Sequence, residues 1–160
     1  MPGEAAGGAL FDRTGFFLSR VGTAVQSGFK EILARWGIRP LQYLVLNSLR
    51  AAGGSSQQQL CRVLNIDSGN MVELLDGLEE LGYARRAPDA NDRRRHVVSI
   101  TAKGRSMLSR VTAEVVRFED RFFEVLDHDE RAQLAKLLAK LYSATAEARG
   151  EGYASASASP

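Results

Sequence analysis

Eight basic side chains fall within residues 83–110: Arg85, Arg86, Arg93, Arg94, Arg95, Lys103, Arg105 and Arg110, against only Asp89 and Asp92. That stretch carries +6, while the rest of the chain, with thirteen basic and seventeen acidic residues, carries −4. Guanidinium and ammonium groups at this density bind phosphate through charge and forked hydrogen bonds. The block therefore points to a polyanion, nucleic acid ahead of a membrane surface. A solvated charged face is the alternative reading of the same residues.

Other chemistries lack their parts. His96 and His128 have no second ligand at i+3 or i+4 and no cysteine cluster, so no metal site is expected. No Gly-rich phosphate loop or supported nucleophile occurs. Glu79-Glu80 and Asp129-Glu130 are neighbours that point apart on a helix. Neither an enzyme nor a cofactor is expected. Cys61, the single cysteine, cannot form an internal disulfide; it fits a reducing compartment and reads as a small packing residue. No apolar run approaches the roughly 18 residues that cross a bilayer. Met1–Gly8 lacks the pattern of a secretory signal. A cytoplasmic location without membrane association is expected.

With 160 residues, 44% hydrophobic and 25% charged, the chain has the composition of one ordinary folded domain with extensions. Its elements must hold the cationic block in place. Leu18, Val21, Val25, Gly28 and Ile32 step by three and four and predict a helix over about 10–35. Pro40 suits the first turn of a second helix, expected to turn Leu41, Leu44, Val45 and Leu49 inward before Gly53-Gly54 ends it. Ser55 or Ser56 can cap a short third helix through Leu64. Asp67 or Ser68 can cap a fourth, whose apolar face is Met71, Leu74, Leu75, Leu78 and Leu81. Tyr83–Ala87 and Arg95–Thr101, separated by Pro88-Asp-Ala-Asn-Asp92, predict a β-hairpin. Thr101 can cap a long helix to about 126, and Asp127 with Glu130 forms a capping box for a last one.

Two short helices joined by a tight turn make a helix-turn-helix, whose second helix fits the major groove of DNA. A hairpin with three consecutive arginines at its tip suits a wing beside a phosphate backbone. The stretch from Leu60 to Arg86, followed by Pro88-Asp-Ala-Asn-Asp-Arg-Arg-Arg-His-Val-Val-Ser-Ile-Thr-Ala-Lys-Gly-Arg105, resembles the MarR family of winged-helix transcriptional regulators. The acidic wing tip, the arginines after it and Thr101-x-x-Gly104 are the specific features. In order of elements the resemblance covers about 10–147, and it is strongest over 41–105.

The resemblance implies a mainly α fold with a small β-hairpin wing, a winged helix-turn-helix flanked by N- and C-terminal dimerisation helices. Its parts would be a loose N-terminus (1–8), a dimerisation helix (9–36), the DNA-binding lobe (37–101), C-terminal dimerisation helices (102–147) and a loose tail (148–160). It implies a repressor that binds double-stranded DNA, with Ser68 and Asn70 making groove contacts and Met71 against a thymine methyl or in the core. Asp92 would brace the wing while Arg93, Arg94 or Arg95 approaches DNA, and Arg85 and Arg86 would reach flanking phosphates. The recognition helix starts without Arg or Lys, a departure from many relatives. The competing expectation is a protein-interaction module that keeps the fold without specific DNA binding.

The stripe Leu108, Val111, Val115, Phe118, Phe122 and Val125 runs along a helix longer than a small domain is wide. It predicts a homodimer whose interface includes Leu18, Val111, Val115, Phe118, Phe122, Leu137 and Leu141. By the same resemblance a small aromatic or lipophilic effector would bind at the junction of the dimer helices and the lobe, lined by Phe16, Phe17, Arg20, Trp36, Arg39 and Tyr43. Ordinary core and junction packing is the alternative for those six.

Overall fold

The chain's computed structural model describes residues 13–89 and 96–148. Along them run α1 (Thr14–Arg35), α2 (Pro40–Ala52), α3 (Gln57–Leu64), α4 (Ser68–Glu80), β1 (Ala84–Pro88), β2 (His96–Ile100), α5 (Ala102–Phe122) and α6 (His128–Ala148). One compact unit extends to Phe118 and a second begins at Glu119. Among the described residues no helix is long and apolar enough to cross a membrane.

The core of the first unit gathers Leu33, Val45, Leu46, Leu49, Leu60, Met71, Leu75, Leu78 and Leu108, all fully buried. Along α2 the buried positions are Gln42, Val45, Leu46 and Leu49, whereas Leu41 and Leu44 are each 38% exposed. The inward face of α2 is therefore rotated from the expected one, because a glutamine holds one of the core positions. Its amide is satisfied there: Oε1 accepts the Arg39 N–H at 2.9 Å, and Nε2 donates to the Leu74 carbonyl at 3.5 Å. Gly77 leaves room for it, since a Cβ there would stand 2.8 Å from Gln42 Nε2.

Of the two caps open at each helix start, Ser56 and Asp67 are used. Ser56 Oγ accepts the Gln59 N–H at 3.2 Å while Gln59 Oε1 accepts the Ser56 N–H at 2.8 Å, a reciprocal capping box. Asp67 Oδ1 accepts the Asn70 N–H at 2.9 Å. Between the helices Asn65 takes a left-handed conformation, φ 51°, which closes α3 and lets the chain reverse.

In the hairpin β1 and β2 run antiparallel, with Arg85 opposite Ser99 and Arg86 opposite Val98. Ser55 adds a third backbone partner: its N–H donates to the Val98 carbonyl at 3.0 Å and its carbonyl accepts the Val98 N–H at 2.8 Å. The Thr101-x-x-Gly104 motif has a physical reason. Thr101 Oγ1 donates to the Gly82 carbonyl at 2.7 Å and accepts the Gly104 N–H at 3.0 Å. Gly104 lies so close to the Tyr83 carbonyl that a Cβ would collide with it.

The stripe on α5 serves its own chain first. Leu108 and Val111 are fully buried in the core, and Val115 and Phe118 pack against it. Val111 therefore has no surface to offer a second copy, a correction to the interface expected from spacing alone. The helix ends at Phe122, four residues before the expected stop. In the second unit, Arg131 donates to the carbonyls of Phe123 (2.9 Å), Leu126 (3.2 Å) and Asp120 (3.1 Å), closing the turn into α6. Asp127 and Glu130 exchange hydrogen bonds of 2.9 Å, as the capping box requires. Leu137, Leu141 and Tyr142 are more than half exposed, as is Phe17 on α1, with Leu18 and Val21 slightly less so.

Candidate nucleic-acid interface

The first turn of α4 is a small polar platform. Ser68, Gly69 and Asn70 are exposed. Ser68 Oγ lies 3.4 Å from Gln57 Nε2, which donates to it. The Asn70 backbone is held by the Asp67 cap, and its side-chain amide makes no hydrogen bond among the described residues. Two donors and an acceptor at an exposed helix start match the edges of base pairs in a major groove.

Met71 is not part of that platform. It is fully buried beside Leu74 and Leu75, so a thymine contact from Met71 is ruled out. The next residue, Val72, is 39% exposed and presents the apolar group instead. Periodicity carried that signal: once Met71, Leu74, Leu75 and Leu78 share the inward face, Val72 must turn about 100° away.

Three of the four acidic residues of α4 are matched by arginines. Glu73 pairs with Arg39 at 3.2 Å, both well exposed. Asp76 and Glu79 hold Arg86: Nη1 reaches Asp76 Oδ1 at 2.7 Å and bonds Glu79 Oε2, and Nη2 donates to the Val72 carbonyl at 3.4 Å. Burial opposes the Arg86 charge, but hydrogen bonds and attraction from Asp76 and Glu79 outweigh it and raise its pKa. Arg86 is thus committed inside the lobe and not free to reach flanking phosphates as expected. Arg85 is exposed, with Nε 3.3 Å from Ser99 Oγ across the hairpin. Two further cations of the basic block do structural work. Lys103 donates to the Leu81 carbonyl at 2.8 Å and lies 5.3 Å from the Tyr83 ring centre, and Arg105 donates to the Ile100 carbonyl at 2.8 Å.

Asp92, Arg93, Arg94 and Arg95 lie outside the described residues. Ser56, which caps α3, and Gln59 and Arg62 of α3 line an open polar groove of about 290 Å³ together with Asp89, His96 and Val97.

The six residues expected around an effector do not meet in one chain. Phe16, Phe17 and Arg20 sit near the start of α1 and Trp36 at its end, about 30 Å away at the rise of an α-helix. Most of them already have other partners. Phe16 and Phe17 stack edge-on at 6.1 Å, Tyr43 meets Phe29 at 5.4 Å, Arg39 pairs with Glu73, and the Trp36 indole donates to Glu114 Oε1 at 3.1 Å. Cys61 is half-buried against the core.

Comparison with known proteins agrees with this architecture. The MarR family model matches residues 36–95. A putative transcriptional regulatory protein for the hcr operon of Thauera aromatica is 30% identical over 145 residues, covering 90% of this chain and 87% of the relative. The solved transcriptional repressor CouR, bound to a 23-mer DNA duplex, is 35% identical with a TM-score of 0.70, covering 84% of this chain and 96% of CouR. A mutant MarR from E. coli, complexed with operator DNA, is 29% identical with a TM-score of 0.64, covering 79% of this chain and 91% of that one. A winged helix-turn-helix with these residues in these places, and this degree of similarity along most of its length, makes the chain a transcriptional regulator belonging to the MarR family.

Proposed function

We propose that the chain is a repressor that binds double-stranded DNA as a homodimer on a pseudo-palindromic operator, its affinity tuned by a small-molecule effector. The observation that carries this reading is the polar start of α4, where Ser68 and Asn70 stand exposed with Val72 beside them, on a helix whose opposite face is core. Solved relatives bound to DNA support the same partner here. In this reading Ser68, Asn70 and Val72 face base edges, Arg85 meets the backbone, and Arg93, Arg94 and Arg95 supply the wing's charge with Asp92 bracing it. A fluorescence-polarisation titration against a duplex from immediately upstream of the chain's own coding sequence, beside a scrambled duplex, tests it. Tighter binding to the first is expected; equal or absent binding refutes specific recognition.

Two copies are proposed because α1 and α6 each leave apolar side chains uncovered: Phe17, Leu18 and Val21 on one, Leu137, Leu141 and Tyr142 on the other. Val115, Phe118 and Phe122 are partly covered in the chain and would add only their remaining surface. The separation of Phe16 from Trp36 shapes the effector proposal. A site using all six expected residues needs the N-terminal helix of the second copy beside Trp36, Arg39 and Tyr43 of the first. Trp36, the only tryptophan, reports occupancy by fluorescence when aromatic acids are titrated.

A protein-interaction role is favoured by one observation: α4 begins without a cation and carries Glu73 and Asp76 on its outer side. Absence of binding to any duplex at low salt would select that reading.

A further inference from the structure

We infer that Arg86 is a positioning residue, a clamp that locks the wing to the recognition helix and so fixes the spacing of the two DNA-reading elements. The inference rests on the DNA-binding reading above. Its ground is the way one carboxylate and one guanidinium close the outer edge of the hairpin. Val98 spends its backbone groups on Ser55, so Arg86, directly opposite Val98, turns its own N–H outward. That outward donor would be an unpaired edge group, and Glu79 Oε1 accepts it at 2.6 Å. The other oxygen of the same carboxylate takes the Arg86 guanidinium. Glu79 therefore grips β1 at both backbone and side chain.

The guanidinium then spans α4 lengthwise. It reaches Glu79, Asp76 and the Val72 carbonyl, covering nearly two turns of the helix that starts with Ser68 and Asn70. A planar fork with five donors can hold three acceptors at once, which a lysine cannot match in geometry. The Arg86 side chain is 23% exposed and Glu79 32%, so the pair is screened less than a surface ion pair. Charge points the same way. Asp76 and Glu79 would otherwise set two negative charges beside DNA phosphates, and Arg86 cancels one of them in place.

The sign of one substitution separates this role from a direct phosphate contact. Glu79→Ala deletes a negative charge and keeps good helix propensity. If Arg86 is held back from DNA, freeing it must tighten binding; if it is a clamp, freeing it must weaken binding. Full-length Glu79→Ala and Arg86→Lys are titrated against a random-sequence duplex and the upstream duplex, with thermal unfolding as the check on folding. Affinity for the upstream duplex should fall about tenfold in both, the loss expected from a charge-assisted hydrogen bond. Arg86→Lys keeps charge and stem, so it decides the matter where Glu79→Ala does not fold. Unchanged or tighter binding overturns the clamp. Amide hydrogen exchange without DNA supplies an independent readout: the Arg86 N–H and its β1 neighbours should exchange faster in Glu79→Ala, and unchanged exchange overturns the clamp. If the wild-type chain binds no duplex, the DNA-binding reading fails while the exchange result still decides whether wing and helix are locked.

Discussion

The Phe118 ring lies directly on the α1 backbone at Gly28, where a Cβ would overlap two of its carbons. Glycine thus provides the close approach of α5 to α1 within the first unit. Gly28→Ala gains up to about 1 kcal/mol of helix propensity, but it forces an aromatic ring out of a packed site. Overpacking wins: a net loss of roughly 1–3 kcal/mol is expected in thermal or urea unfolding. Gly28→Ala with Phe118→Leu should recover part of that loss, because neighbouring substitutions are not additive. An unchanged midpoint for Gly28→Ala would contradict the packing.

Gly28 also shows what the sequence could reveal. Its place on the apolar face of α1 was legible from the three-four spacing, but not its partner, because spacing says which way a residue faces and not what arrives there. Order of elements, the capping residues, the tight turn at Asn65 and the family were legible because each is written in local chemistry. Leu44 turned out otherwise because a buried glutamine disguised the core face of α2. Of the two places open to Met71, groove and core, burial selects the core, the one its position on the apolar face of α4 pointed to. Arg86 failed because a basic residue in a basic stretch looks like a ligand contact, while its acceptors Asp76 and Glu79 lie on another element. The separation of Phe16 from Trp36 follows from helix length alone and was available from the start.

Glu114 joins α5 to the end of α1 through two hydrogen bonds, from Arg35 at 2.6 Å and from the Trp36 indole at 3.1 Å. The Arg35 hydrogen bond chiefly lowers its pKa; burial opposes that, and Trp36 and the charges of Arg35 and Arg117 assist. A carboxylate with a lowered folded pKa stabilises the fold above its ordinary value of 4.5 and loses that contribution as pH falls through the lower folded value. Glu114→Gln should therefore flatten the acid limb of the stability–pH curve while leaving Trp36 an acceptor. Trp36 fluorescence of the wild type should change over the same range. Parallel acid limbs in the two proteins would remove Glu114 from the account.

Leu141 on α6 is 54% exposed and is not one of the core residues, which makes it the better test of the proposed dimer. Phe118→Glu would damage the chain's own packing on Gly28 and could not separate dissociation from unfolding. Leu141→Glu should keep its helical circular dichroism and shift the light-scattering mass from twice 17.5 kDa to 17.5 kDa at micromolar concentration. The driving force is the several kcal/mol cost of an unpaired charge in an apolar interface. A wild-type mass of 17.5 kDa under the same conditions would end the homodimer reading.

Asn70 and Arg94 should fail in different ways, because one is proposed to read bases and the other to supply charge. The Asn70 amide is exposed without a partner among the described residues, and in a groove it can meet adenine through two hydrogen bonds. Asn70→Ala should cost on the order of 1–3 kcal/mol on the cognate operator, relax preference at one base position per half-site and leave scrambled DNA almost unaffected. Arg94→Ala removes a cation of the wing tip. It should weaken operator and scrambled duplex alike and lower the salt slope by roughly one unit per subunit, since each lost phosphate contact leaves its counterion bound. Titrations of both variants against both duplexes at several salt concentrations separate the two roles. An Arg94→Ala protein with unchanged affinity and slope would show that the wing's charge is not used at Arg94. An Asn70→Ala protein that weakens both duplexes equally would make Asn70 a backbone-positioning group, and base readout would then rest on Ser68 and Val72.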